Sequence, residues 1–227
     1  MDRVIFIPFP PPYAHEFMER TNNWVQERPE KNFRIIVYNP QRAALGLGRS
    51  PLLMNLMNGS SIYLRGHGLP GDPHVTTSLN GAVVKITIQD SIDRLMEMGL
   101  RNDFRGTLKF YSCYSGLDQP KKWVSGTGTL VFTDDVHKTK VKNGTFTAAT
   151  KSLASVGASY FRSLKFKHCK YVGYLGPLTG KYEPSDSSPD GRNYKWCEVT
   201  TFDTLGDRYK VDPTMKVTRA SEAQKFF

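Results

Sequence analysis

Apolar positions along the chain follow two patterns, short runs of strand length and wider stripes at helical spacing. Residues 4–8 and 34–38 are runs of the first kind, and between them Phe17, Thr21, Trp24 and Val25 recur at helical intervals, which predicts a β-α-β opening. Residues 61–65 predict a third strand that runs into Gly66, His67 and Gly68. Residues 83–86 read as one arm of a hairpin whose turn is Asn80-Gly81, a pair suited to the positive φ angles of a tight type I′ turn. Ile88, Ile92, Leu95 and Met96 form an amphipathic stripe, with Gly99 as its stop signal. Residues 107–111 predict another strand, leading directly into Ser112, Cys113, Tyr114, Ser115 and Gly116.

The second half is less regular. Residues 117–144 are rich in Gly, Lys and Thr and read as a long loop with a hairpin containing residues 130–132. Leu153, Val156, Tyr160 and Leu164 mark a helix, and residues 171–174 a strand stopped by Gly176-Pro177. Residues 181–192 read as an exposed loop, residues 196–202 as a hairpin-like region, and the polar stretch from Thr214 as a tail. With no internal repeat and no boundary, residues 1–227 are expected to form one α/β domain. Alternating strands and helices predict a mostly parallel central sheet covered on both faces, with the hairpin region added at the C-terminal end. In such sheets the active groups gather at the carboxyl ends of the strands.

Composition narrows the function classes. The 227 residues are 39% hydrophobic and 23% charged, a folded rather than a disordered composition. No apolar run approaches the ~20 residues of a membrane-spanning helix, and the N-terminal apolar piece is cut by Pro8, Pro10, Pro11 and Pro12, which argues against a signal peptide. Cys113, Cys169 and Cys197 have no Cys-x-x-Cys spacing, so neither a disulfide framework nor a zinc site is expected, and a reducing, cytoplasmic compartment suits them. His74 and His137 are assigned to loops without metal-ligand spacing, and His168 is read as solvated or structural. The formal net charge of +10 favours association with an anion, without specifying fold or activity.

The chemistry concentrates at two strand ends, Arg65-Gly66-His67-Gly68 and Tyr111-Ser112-Cys113-Tyr114-Ser115-Gly116. A thiol is a strong nucleophile only as thiolate, and an imidazole beside it can take the proton, so Cys113 and His67 make a workable acyl-transfer pair. A Cys at the end of an apolar strand is on its own usually a small buried hydrophobe; the paired motif is what argues for chemistry. Gly66 and Gly68 allow sharp turning and close approach, and the backbone N–H groups of Gly68 and Cys113 are candidates for an oxyanion hole.

These two strand ends resemble the His-Gly and Ser/Ala-Cys motifs of the caspase-like (clan CD) cysteine peptidases, a group that includes clostripain, gingipains, legumain and the self-cleaving cysteine protease domain of large bacterial toxins. The resemblance covers residues 34–176, in the order strand, His, helix, strand, Cys, helix, strand. It implies a caspase-like three-layer α/β/α sandwich, a cysteine endopeptidase with His67 and Cys113 as its dyad, and a protein or peptide substrate. It also implies self-processing, for which the loop of residues 117–144 is a candidate, and a place among delivered effectors or toxins. No metal or redox cofactor is expected. Tyr111 and Ser112 fall at the substrate pocket, where Tyr111 replaces the Gln or Glu of caspases and legumain. An apolar or mixed pocket and a basic-selective one supplied by Asp118, Asp134 or Asp135 both remain open.

The toxin domains of this group are activated by inositol hexakisphosphate. That property and the net charge together make Lys138, Lys140, Lys165 and Lys167 candidate anion-binding residues. A non-catalytic basic module on the same fold, binding inositol phosphate or nucleic acid, is the alternative from a different class.

Overall fold

A computed structural model describes residues 1–69, 71–125, 131–132, 139–140, 144–176, 178–179, 196–205, 208–221 and 223–227. The chain opens with β1 (Arg3–Ile7), α1 (Pro11–Gln26) and β2 (Phe33–Val37), followed by short helices α2 (Pro40–Ala44) and α3 (Pro51–Met54) and by β3 (Ser61–Arg65). A hairpin of β4 (His74–Leu79) and β5 (Ala82–Thr87) leads into α4 (Ile88–Glu97) and β6 (Thr107–Tyr111). Then come β7 (Gln119–Ser125), β8 (Val131–Phe132), β9 (Thr139–Lys140), β10 (Gly144–Thr150), α5 (Leu153–Ser163), β11 (Lys170–Tyr174) and β12 (Leu178–Thr179). The last strands are β13 (Trp196–Leu205), β14 (Arg208–Arg219) and β15 (Gln224–Phe226).

The central sheet has the order β15-β11-β6-β3-β1-β2 among the described residues. Every neighbouring pair in it is parallel except β11 with β15. The architecture is therefore mixed α/β with a mostly parallel six-stranded sheet, as the alternating pattern predicts. The prolines that break the first apolar run open α1, where a missing N–H costs nothing. Asn80 and Gly81 turn the β4–β5 hairpin with φ of 51° and 80°, both positive as a type I′ turn requires. A reciprocal capping box between Thr87 and Asp90 starts α4.

Period-two alternation divides the strand side chains between two cores. On one face Val4, Phe6, Ile62, Leu64, Leu108 and Phe110 pack with Ile88, Ile92 and Leu95 of α4 and Ala154, Ala158 and Phe161 of α5. On the other face Ile5, Phe33, Tyr63, Tyr111 and Tyr174 meet Trp24 and Val25 of α1 together with Ala220 and Ala223. This second core is aromatic: Trp24 stacks on Tyr111 at 5.1 Å between ring centroids, and Tyr63 and Tyr174 present edges to Tyr111 at 5.7 and 5.4 Å.

Two expectations from the sequence change. Residues 117–144 hold the expected hairpin, β8 paired antiparallel with β9, but carry more strand than that: β7 also forms and joins β10, β12, β13 and β14 in a second sheet of five strands among the described residues. The β7–β10 ladder is interrupted by register shifts, which erase the clean alternation that periodicity depends on. The stretch from Thr214 is also not a free tail. It completes β14, after which Ala220 and Ala223 are buried and β15 pairs antiparallel with β11. An edge strand held by main-chain bonds needs no hydrophobic side-chain pattern of its own. The expected loop of residues 181–192 lies outside the described residues.

Gly116 and Gly173 lie where the loop after β6 crosses β11. A Cβ on Gly173 would stand 2.7 Å from the Gly116 Cα and 2.7 Å from the Ala154 Cβ. Gly173→Ala is accordingly expected to destabilise the fold by about 1–3 kcal/mol through overpacking, measured as a fall in the urea midpoint at unchanged slope.

Candidate active site

Parallel pairing of β3 with β6 sets Arg65 beside Tyr111. The chain runs two residues past each to His67 and Cys113, so both leave the carboxyl edge of neighbouring strands at the same height. They line one cavity of about 370 Å³.

The backbone of His67 is bridged to Thr76 of β4, its N–H donating to the Thr76 carbonyl at 2.9 Å and its carbonyl accepting at 3.1 Å. Its ring lies 5.0 Å from that of Phe17, and Nε2 donates to Glu16 Oε1 at 2.7 Å. The other oxygen of Glu16 accepts the Ser78 N–H at 2.7 Å and lies 3.0 Å from the Thr77 hydroxyl. Burial opposes ionisation of Glu16, but the hydrogen bond from His67, those from Ser78 and Thr77 and the charge of His67 outweigh it and hold the carboxyl below its ordinary range. With Nε2 bound to a carboxylate, Nδ1 is the nitrogen of a neutral ring left to accept a proton. Glu16 escaped the sequence reading because it lies 51 positions from His67 and α1 carries no motif around it.

Cys113 sits in a tightly tied turn. The Ser115 hydroxyl donates to the Phe110 carbonyl at 2.6 Å and accepts the Tyr174 N–H at 3.0 Å. The Gly116 N–H donates to the Tyr174 carbonyl at 2.8 Å, and the Ser115 carbonyl accepts from the Ala154 N–H at 2.8 Å. Tyr114 has a φ of 54°, a left-handed conformation that costs a bulky residue about 1–3 kcal/mol. The Leu178 N–H reaches Cys113 Sγ at 3.3 Å. Burial pushes the thiol up, against the Leu178 N–H, the residue's own N–H and the charge of Arg65, which lower it less. The resting group is therefore a thiol, and no hydrogen bond joins it to His67 among the described residues. Bonds between such pairs often tighten only around a substrate.

The two glycines of the His67 motif have different neighbours. A Cβ on Gly66 would fall 1.9 Å from Val75 Cγ1, so that position is emptied for β4 rather than for a substrate. A Cβ on Gly68 would fall 2.8 Å from the Cys113 carbonyl oxygen, so the two loops lie in direct apposition. The Gly68 N–H has no acceptor among the described residues.

Tyr111 and Ser112 both line the cavity. Tyr111 is a buried wall fixed by Trp24, and the buried Ser112 Oγ has no partner among the described residues. Asp118 is turned to α5, where it accepts the Ser152 N–H at 2.6 Å and lies 4.0 Å from Lys151 Nζ. Asp134 and Asp135 lie outside the described residues. Lys165 and Lys167 are exposed ahead of β11, at the end of the sheet opposite Cys113. The backbone of Lys140 is in β9, and Lys138 lies outside the described residues. His74 opens β4 rather than lying in a loop, and its ring is 2.6 Å from an Asp72 oxygen; Asp72 also accepts from Lys85 at 2.9 Å. Cys169 donates to the Phe104 carbonyl at 3.2 Å, and His168 is exposed. Among the described residues no group of three or more His, Cys, Asp or Glu is placed to hold a metal, and no helix is long and apolar enough to cross a membrane.

Two measurements follow from the ionisation states. Iodoacetamide should alkylate Cys113 more slowly at pH 8 than it alkylates an unstructured thiol, with the rate climbing as pH rises through the elevated value; rapid alkylation at pH 6–7 would contradict the protonated resting state. Glu16, held below its ordinary range, stabilises the fold above that range and loses the contribution as pH falls through its folded value. Glu16→Gln should therefore flatten the acid limb of a stability-versus-pH curve, read from denaturant midpoints between pH 3 and 6.

No family model, curated protein or solved structure matches this chain.

Proposed function

We propose that the chain is a cysteine endopeptidase with a caspase-like α/β/α fold. The observation that carries the reading is that His67 and Cys113 leave register-matched strand ends onto one cavity, with the imidazole held by a carboxylate.

Substrate binding brings His67 Nδ1 to the Cys113 thiol, which gives up its proton as the sulfur attacks the scissile carbonyl carbon. The resulting oxyanion is held by the N–H groups of Gly68 and Cys113. The tetrahedral intermediate collapses, the C–N bond breaks, and the imidazolium returns the proton to the leaving amine. Water, deprotonated by His67, then hydrolyses the thioester and restores the thiol. Glu16 acts through His67, stabilising the imidazolium and fixing the ring.

Cys113→Ala and His67→Ala are each expected to lower peptide cleavage by about 10³-fold or more, as in other nucleophile–base systems. A proteome-wide cleavage profile identical for the wild type and Cys113→Ala would overturn the reading.

A specific observation favours a second property, binding of a polyanion such as inositol hexakisphosphate. A cavity of about 300 Å³ on the aromatic face is lined by Arg3, Arg28, Lys31 and Lys109 with no acidic side chain on its described wall. Lys109 Nζ sits 4.9 Å from the Tyr63 ring centroid. Here inositol hexakisphosphate should raise the melting temperature, and Lys109→Gln should reduce that shift; no shift in the wild type at low salt would remove this property.

A further inference from the structure

Three neighbouring strands, β3, β6 and β11, enter the sheet from the edge opposite the Cys113 cavity, and the segments ahead of them meet there. The Gly59 N–H, ahead of β3, donates to the Arg105 carbonyl at 2.6 Å, and the Lys170 N–H at the start of β11 donates to the Gly106 carbonyl at 2.9 Å. Arg101 and Arg105 before β6, and Lys165 and Lys167 before β11, are exposed at this edge. Beside them stand apolar side chains that belong to neither core: Leu45 is 72% exposed, Leu47 65%, Met57 58% and Met54 38%. Met54, Met57, Arg101 and Arg105 line one groove of about 490 Å³. Gly99 joins that groove to the preceding segment, since a Cβ there would stand 2.9 Å from Met54 Cγ and 3.5 Å from Arg49 Cβ.

A single exposed leucine is ordinary, but four apolar side chains on one segment beside a row of cations are a surface to be covered. Residues 31–71 contain no Asp or Glu. Asp103 lines the groove, yet Arg101 holds both of its oxygens, at 3.0 and 2.6 Å. Glu97, on the far side of Gly99, accepts from the Tyr38 hydroxyl at 3.0 Å. The edge thus presents apolar loop tips within net positive charge. An anionic bilayer complements both features, its headgroups attracting Lys and Arg and its acyl boundary taking up the apolar tips. A nucleic acid would match the charge alone, because it is held through aromatic stacking and none of these four side chains is aromatic.

We propose that this edge of the sheet binds an anionic lipid surface. Leu45, Leu47, Met54 and Met57 enter the headgroup layer, while Arg49, Arg105, Lys165 and Lys167 pair with its phosphates and carboxylates. His67 and Cys113, at the other edge, then face away from the bilayer. The inference does not depend on the peptidase reading.

The test is cosedimentation of the full chain with vesicles of phosphatidylcholine alone and of phosphatidylcholine with phosphatidylserine, at low and at physiological salt. The chain should sediment only with the phosphatidylserine vesicles, and more weakly as salt rises. Arg105→Gln combined with Lys167→Gln should lower the partition constant about 25-fold, each charge near such a surface being worth about five-fold. Leu47→Ser combined with Met57→Ser should lower it about 10-fold and make the remaining binding wholly salt-sensitive. All four positions are exposed, and unchanged melting temperatures would check the fold of both variants. Failure of the wild type to sediment with phosphatidylserine vesicles at low salt would overturn the proposal, as would equal binding to the two kinds of vesicle. Wild-type binding by the apolar variant, or complete displacement of the chain from vesicles by a DNA duplex at equal phosphate concentration, would mark a purely electrostatic face and overturn it too.

Discussion

The parallel pairing of β3 with β6 is the constraint on which the rest of the site depends. Hydrogen bonding fixes Arg65 opposite Tyr111, and His67 and Cys113 each follow two residues after that pair. A slip of one residue would turn Arg65 and Tyr111 to the other face and destroy the common height of His67 and Cys113. The buried runs in β1, β3 and β6 make such a slip costly, because each strand sends apolar side chains into both cores, β6 giving Leu108 and Phe110 to one and Tyr111 to the other. The reactive groups are thus positioned by the hydrophobic core rather than by bonds to each other.

The legible part of the sequence was the part governed by local rules. Strands β1, β3, β6 and β11, the Asn80-Gly81 turn and helices α4 and α5 announce themselves through apolar runs, turn chemistry and helical spacing. His67 and Cys113 were readable because each adjoins a strand and a glycine. Glu16 and Arg65 were not. Glu16 reaches His67 from a helix 51 positions away, and Arg65 looks like an ordinary polar end to a strand until the Phe17 and Tyr111 rings beside it are seen. Strand β7 and the chain after Thr214 were misread for a related reason: β7 and β15 are defined by their partners, with irregular register in one case and edge pairing in the other.

The dyad motif therefore underdescribes the cavity. A thiol kept protonated by burial, an imidazole anchored by a carboxylate, and a guanidinium bordered by aromatic rings make a site whose charges are set before any ligand arrives. The basic character of the chain also acquires a location. Among the described residues, Arg3, Arg28, Lys31 and Lys109 line one cavity, whereas Lys165 and Lys167, which the linear sequence emphasised, are exposed at the other end of β11 from the candidate site.

The contact between Gly116 and Gly173 bears on how this chain would diverge. Those glycines, with Ser115, are required by backbone packing whatever the protein does, so a lineage that lost catalysis would still retain them. Glu16, Arg65 and His67 point into a cavity and would be released to drift. Variation among descendants at these two sets of positions would separate a working enzyme from a scaffold that has kept only its shape.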